Sequence, residues 1–225
     1  HGFLNLYNML RNFFIILFNV SFVFSQNLYE NLDLIEKEWV DSVYSSLTTE
    51  EKVSQLFVKW VSPEQSNFDE VKKLVVEDKI GGLIFSIGTT ESHIEWLNKF
   101  QSLAKTPLLI SMDAEWGPAQ RLSDVFAHPW NMTLGAIQDN SLVRQISKRM
   151  AEQNKALGVH FNFSPSVDVN NNSNNPIIGN RSFGEDPINV YNKAKAYIQG
   201  HKDVGVFSSI KHFPGPGDTD KDSHK

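Results

Sequence analysis

The feature that most constrains the fold is an alternation of short apolar runs with amphipathic helical patterns along most of the chain. Five runs have the length and composition of buried strands, namely Phe57–Val61, Leu83–Ser86, Pro107–Asp113, Val159–Phe163 and Val206–Ile210. Strands that alternate with helices form parallel sheets, because each parallel connection needs a crossover. The sequence therefore predicts an α/β fold, a (β/α)8 TIM-type barrel truncated after about five βα units. A doubly wound open sheet is the structural alternative.

Helix ends carry recognisable signals. Thr48 and Glu51 have capping-box spacing, Asp186 and Pro187 suit an N-cap followed by a first helical residue, and Gly158 suits a C-terminal left-handed position.

The apolar stripes predicted to face the core are Val53/Leu56/Phe57, Phe68/Val71/Leu74/Val75, Ile94/Leu97/Phe100, Leu142/Ile146/Met150 and Val190/Tyr191/Ala194/Ile198. The asparagine-rich stretch 170–175 is predicted to be a surface loop.

The N-terminal residues have the pattern of a secretory signal peptide. Arg11 precedes an apolar run from Phe13 to Phe24 that is too short to span a bilayer, and Val23 and Ser25 suit a cleavage site. We expect residues 1–25 to be upstream residues and signal peptide, and residues 26–225 to form one domain. An uncleaved membrane anchor or a buried helix is the alternative. The mature protein is expected to be exported, periplasmic or extracellular, with no stable membrane insertion.

Composition excludes several classes of function. The net charge of -5 and the pI of about 5.8 provide no basic surface for nucleic acid, so no nucleic-acid partner is expected. The chain has no cysteine, which excludes disulfides, thiolate metal sites and a cysteine nucleophile. Its histidines lack the paired spacing of metal ligands, so a metalloenzyme is a poor alternative.

Polar residues follow the predicted strands at their carboxyl ends. They are Asp113, Asp168, Lys211 and His212. In a parallel barrel this face carries the functional site. Each residue also has a structural alternative: Asp113 could cap the next segment, and His212 could be a satisfied core histidine. Arg181, on a later loop, could pair with Glu185 on the surface.

The C-terminal stretch places Asp222 two residues before His224, after a loop rich in proline and glycine. An imidazole exchanges protons near neutral pH, and a neighbouring carboxylate can hold one ring nitrogen. The pair is therefore predicted to transfer protons, with a solvated loop at a chain end as the alternative.

Four segments together resemble glycoside hydrolase family 3, of the β-N-acetylglucosaminidase type. They are Lys211-His212-Phe213-Pro214-Gly215 through Asp222-Ser223-His224, Asp113-Ala114-Glu115-Trp116-Gly117 with Gln120-Arg121-Leu122, Phe163 to Val169, and Gly179 to Pro187. The resemblance runs from about Thr48 to the C-terminus, and several motifs in order are more specific than one alone. It implies that residues 26–225 are part of the family's N-terminal barrel.

The resemblance also implies residue roles. Asp113, Arg121, Arg181, Lys211 and His212 would bind the terminal sugar, His224 would be the acid/base with Asp222 as its partner, and Glu115 and Asp168 would orient neighbouring groups. The family is retaining, and the nucleophile Asp of its relatives follows a later barrel strand. We therefore expect no turnover by the 225-residue chain itself. No cofactor or metal is implied.

The implied activity is removal of terminal β-linked N-acetylglucosamine from peptidoglycan- or chitin-type oligosaccharides. One departure stands out, because relatives usually read Gly-His-Gly where this chain has Gly215-Pro216-Gly217. Three alternatives remain open: a β-glucosidase, a glycoside phosphorylase of the same family, and a non-catalytic saccharide-binding fragment. The Asp222/His224 pair argues against the glucosidase.

Overall fold

The computed structural model describes residues 28–222, which divide between Thr48 and Thr49 into two compact units. The predicted signal peptide and His224 lie outside the described residues. Within the described part, no helix is long and apolar enough to cross a membrane.

The described part of the first unit contains one helix that sequence patterning did not predict. A 3-10 turn at Leu28–Asn31 precedes helix α1 (Leu34–Ser46). Asp33 caps α1: its carboxylate accepts from the Glu36 N–H at 2.8 Å, and the Glu36 carboxylate accepts from the Asp33 N–H at 2.9 Å. Helix α1 buries none of its side chains, so the capping box is the local feature that specifies its start.

The second unit is built on a five-stranded parallel sheet. Its strands are β1 (Val58–Val61), β2 (Gly82–Phe85), β3 (Leu109–Met112), β4 (Phe161–Asn162) and β5 (Phe207–Ser208). They lie side by side in chain order, β1-β2-β3-β4-β5. A doubly wound sheet reverses direction at a switch point, whereas this order continues one way, as in a barrel wall. The prediction of a TIM-type barrel portion is confirmed, and all five predicted strands are present.

Six helices connect or flank the strands. They are α2 (Thr49–Ser54), α3 (Phe68–Val76), α4 (Thr90–Leu103), α5 (Asn131–Gly135), α6 (Asn140–Ala156) and α7 (Pro187–Lys202). The predicted signals at two ends are confirmed: the Asp186 side chain accepts from the Ile188 N–H with Pro187 at the first position, and Gly158 has φ +73°. The main core packs α3 and α4 on the sheet, around Phe85, Phe100 and Ile110.

One predicted apolar stripe is wrong, and three others fail at one position each, because Ile94, Leu142 and Tyr191 are exposed. Val53, Leu56 and Phe57 are 51, 82 and 62 % exposed. Helix α2 ends at Ser54, so the last two belong to a turn and do not share a helical face. On α6, Met150 is buried as predicted and Ile146 packs against the core, but Leu142 is exposed. The fully buried face carries Val143, Ser147, Met150, Ala151 and Asn154. Because this buried face also carries polar residues, the hydrophobic pattern did not locate it correctly.

Candidate active site

The candidate site is a cavity of about 540 Å³ at the carboxyl ends of β3, β4 and β5. Its walls are formed by Asp113, Glu115, Gln120, Arg121, Phe163, Arg181, Ser209, Lys211 and His212. Six of the nine are predicted site residues. Parallel strands end at one edge of the sheet, which is why residues nearly a hundred positions apart in sequence meet here.

Asp113 follows β3 directly and is held by two cations. Arg121 Nη2 lies 2.9 Å from one carboxylate oxygen, and Lys211 Nζ lies 2.8 Å from the other. Burial by itself raises the pKa of the Asp113 carboxyl, but Lys211 and Arg121 outweigh burial and hold that pKa below its usual range. Asp113 is therefore an anion that is still partly open to the cavity, since its side chain is 26 % exposed.

Glu115 is a second carboxylate held by two cations, and unlike Asp113 it is buried. The guanidinium of Arg181 grips its carboxylate through two nitrogens, at 2.8 and 3.1 Å, and Lys211 Nζ lies 2.9 Å from the same carboxylate. Burial raises the pKa of Glu115, but these two cations lower it further than burial raises it. Arg181 pairs with Glu115 and not with Glu185, so the surface alternative is wrong. Lys211 bridges both carboxylates.

His212 is oriented by Asp168. The imidazole Nδ1 lies 2.7 Å from Asp168 Oδ2, which also accepts from the His212 backbone N–H at 3.2 Å and from Ser166 Oγ at 2.8 Å. A carboxylate oxygen can only accept here, so Nδ1 carries the proton and Nε2 of the neutral ring is an acceptor. The His212 side chain is 38 % exposed and lines the cavity, which excludes the core-histidine alternative.

Three further lining residues escaped sequence reasoning as site residues. Phe163 and Ser209 directly follow β4 and β5, and Gln120 Oε1 accepts from the Glu115 N–H at 2.7 Å. Their position just after a strand end is the signal that could have identified the first two. Among residues 28–222, no three His, Cys, Asp or Glu side chains are grouped so that they could hold a metal ion.

The loop that leads to the predicted proton-transfer pair is fastened to the asparagine-rich stretch. Asn175 Nδ2 donates to the Pro216 carbonyl, and Asn172 Nδ2 donates to the Asp218 carbonyl at 3.0 Å. Asn175 is only 9 % exposed, so the prediction of a simple surface loop is wrong for this residue. Asp222 is the last described residue, and its pairing with His224 stays a prediction.

Comparison with known proteins shows which family the chain resembles. Residues 48–225 match the family described as glycosyl hydrolase family 3 N terminal domain. A beta-hexosaminidase A of Pseudoalteromonas piscicida is 36 % identical over 168 residues, which cover 69 % of this chain and 28 % of that protein.

Solved structures show the same likeness. A glycoside hydrolase family 3 beta-N-acetylglucosaminidase from Paenibacillus sp. str. FPU-7 has a TM-score of 0.72 and 37 % identity, over 80 % of this chain and 35 % of that one. A beta-glucoside phosphorylase bound to 2FGlc has a TM-score of 0.78 and 29 % identity, over 86 % and 35 %.

The chain thus spans about a third of the length of these relatives. The matched range contains every strand of the sheet and every described residue of the cavity wall. On these grounds the chain belongs to glycosyl hydrolase family 3 and carries sequence of its N-terminal domain.

Proposed function

We propose that this chain supplies the sugar-binding part of an exo-acting β-N-acetylglucosaminidase, which removes terminal β-linked N-acetylglucosamine from peptidoglycan- or chitin-type oligosaccharides. The observation that carries the proposal is Asp113, an anion held between Lys211 and Arg121 at the wall of the cavity. A carboxylate in this setting can accept two hydrogen bonds from vicinal hydroxyls of one sugar ring. The activities for which the hexosaminidase relatives are named support the same substrate class.

The cations have complementary roles in the proposal. Arg121, Arg181 and Lys211 exceed the two carboxylates by one positive charge, so the cavity has donors to offer to sugar oxygens after Asp113 and Glu115 are satisfied. His212, with Nδ1 held by Asp168, presents its other ring nitrogen, Nε2, as a further polar group. Glu115 acts by orienting Arg181 and Lys211, which occupy both of its oxygens, and Asp168 acts by orienting His212 through Oδ2.

The reaction itself needs groups beyond this cavity. In the proposed retaining mechanism, His224 donates a proton to the leaving oxygen, steadied by Asp222, and later removes a proton from water. A carboxylate nucleophile would come from a later strand, as in the relatives. The chain is therefore proposed to bind the sugar without turning it over.

Export is a separate part of the proposal. The pattern of residues 1–25 supports a secretory signal peptide followed by a domain over residues 26–225. A protein of this kind meets its cell-wall or chitin substrate outside the cytoplasm.

The test is a calorimetric titration of the chain with N-acetylglucosamine, with glucose as the competing sugar. Asp113→Asn should weaken affinity at least about tenfold, because hydrogen bonds to a charged acceptor lose strength. Asp124→Asn is the matched control: Asp124 also bonds protein groups, at the start of α4, but it does not line the cavity. Equal affinity for wild type and Asp113→Asn would contradict the assignment.

A turnover assay tests the catalytic part. An aryl N-acetylglucosaminide should not be hydrolysed by the chain, and turnover that disappears in His224→Ala would refute the need for a later nucleophile.

Phosphorylase activity is the second candidate, because one similar structure is a beta-glucoside phosphorylase. In a version of the protein that continues through later strands, turnover measured with and without phosphate separates phosphorolysis from hydrolysis. A protein of that length that binds the sugar but turns over neither way would support the saccharide-binding alternative.

A further inference from the structure

A buried network of polar side chains lies behind the segment that carries Asp113 and Glu115. Its members are Ser147 of α6, Asn162 of β4, and Tyr197 and His201 of α7, each of them fully buried. None of these four lines the cavity. Buried polar groups are costly unless they are hydrogen-bonded, so what they bind indicates what they hold in place.

Asn162 grips the residue between the two carboxylates. Its Oδ1 accepts from the Ala114 N–H at 3.0 Å, and its Nδ2 donates to the Ala114 carbonyl at 3.0 Å. Because one backbone group can only donate and the other can only accept, the orientation of the Asn162 amide is fixed. This single side chain therefore sets the position of the backbone from which Asp113 and Glu115 project.

His201 completes the hydrogen bonding of Asn162. The second N–H of Asn162 points to His201 Nε2 at 2.9 Å, so Nε2 must be an acceptor. On the other side of the ring, Nδ1 lies 2.8 Å from Ser147 Oγ, whose own hydrogen goes to the Tyr197 carbonyl at 2.5 Å. Nδ1 therefore carries the proton, and the contacts permit one neutral tautomer. Burial lowers the pKa of His201 to about 4, which agrees with a neutral ring at pH 7.

Tyr197 fastens the other end of the segment. Its hydroxyl donates to the Glu115 carbonyl at 3.0 Å, and its ring stacks on that of His201 with the centroids 4.7 Å apart. Burial raises the pKa of the phenol, so the hydroxyl keeps its proton. Tyr197 and His201 lie one helical turn apart, so one face of α7 holds this segment, through Tyr197 directly and through His201 by way of Asn162.

We propose that His201, acting through Asn162, is a positioning residue that holds the backbone of Ala114 so that Asp113 and Glu115 meet their cations and the sugar. The part concerning the sugar rests on the function proposed above. Loss of the acceptor at Nε2 leaves an Asn162 N–H buried without a partner, and the amide can then regain a bond only by releasing Ala114. The carboxylates on either side would move away from Lys211, Arg121 and Arg181.

Three variants of the chain separate positioning from simple packing. His201→Leu removes the acceptor, and His201→Gln keeps an acceptor oxygen for Asn162. His93→Leu is the matched control, because His93 is also fully buried and bonds the Leu157 carbonyl at 2.9 Å, while it packs on Phe85 in the main core. Urea unfolding shows which variants remain folded.

Two readouts are then taken on the folded variants. Carboxyl carbon NMR follows the titration of Asp113 and Glu115, and calorimetry measures the affinity for N-acetylglucosamine. His201→Leu should raise both carboxyl pKa values toward their ordinary range and weaken sugar affinity about tenfold. His201→Gln should restore both readouts, and His93→Leu should leave both unchanged.

The outcomes distinguish the two proposals. If wild type does not bind the sugar while the carboxyl titrations change as expected, the proposed function fails and the positioning role stands. If folded His201→Leu titrates and binds as wild type does, the positioning role is overturned. If that variant does not fold, nitrogen NMR of the wild-type imidazole decides: a proton on Nδ1 supports the proposal, and a proton on Nε2 refutes it.

Discussion

Replacing Glu115 by glutamine should destabilise the fold substantially while leaving its shape almost unchanged. The carboxylate is 1 % exposed and makes contacts of 2.8, 2.9 and 3.1 Å with Arg181 and Lys211. Breaking a buried ion pair from one side typically costs about 3 to 5 kcal/mol, because the remaining charge loses its partner in a poorly solvated place. Lys211 keeps Asp113, and the side chain of Arg181 is 20 % exposed toward water, so we expect the lower end, about 3 kcal/mol.

The pH dependence of this loss has a definite sign. The folded-state pKa of Glu115 is lowered relative to its unfolded value, so the stabilisation is present above the unfolded pKa of about 4.3 and is lost as pH falls through the folded pKa. The difference in the free energy of unfolding between wild type and Glu115→Gln should therefore be largest near neutral pH. It should shrink on acidification below about pH 4.

Urea denaturation at several pH values measures both quantities. The matched control is Glu95→Gln, which removes an exposed i,i+4 partner of Lys99 whose side chain is 53 % exposed. That control should change stability by less than about 0.5 kcal/mol. A loss at Glu115 as small as in the control, or one that does not diminish with acid, would refute the reasoning.

Three further predictions concern stability. Gly215→Ala should lower the free energy of unfolding, measured in urea, more than Gly205→Ala does. Both glycines have positive φ, +92° and +76°, but only at Gly215 would a Cβ lie 2.5 Å from Asp168 Oδ1. Equal losses of stability in the two variants would contradict this. As pH drops from 6.5 to 4, the free energy of unfolding should fall by about 3 kcal/mol more in wild type than in His201→Gln. The reason is that the histidine of the unfolded chain binds a proton in this range, whereas the buried His201 does not until about pH 4. Parallel pH profiles of the two proteins would contradict this prediction. Asp186→Ala should lower stability by about 1 kcal/mol through loss of the α7 N-cap, measured by thermal unfolding.

Local patterns were sufficient to predict the type and order of the main elements. The strands β1 to β5 are short apolar runs with helical periodicity between them, and both signals depend only on neighbours in sequence. The same is true of the Asp186 cap and of Gly158. The prediction of Asp113, Lys211 and His212 at one edge follows from these elements, because parallel strands must end together.

Local sequence patterns could not predict which side chains pair with each other. Nothing near Arg181 in sequence indicates Glu115, which is 66 residues away, and the nearer Glu185 is the more obvious partner. The network of Asn162 and His201 was missed for a related reason. A polar residue within an apolar stretch carries no local sign that it will be buried. Its burial depends on a hydrogen-bond partner that is 39 residues away here and becomes adjacent only in the folded chain.

The sequence alone determined the architecture and the edge of the sheet at which chemistry is placed, since periodicity, caps and glycine positions act over a few residues. Only the tertiary structure decided which cation holds which carboxylate and which tautomer His201 adopts. Those choices depend on distances between residues far apart in the chain, and in a buried site a difference of one hydrogen bond determines whether a polar group is satisfied.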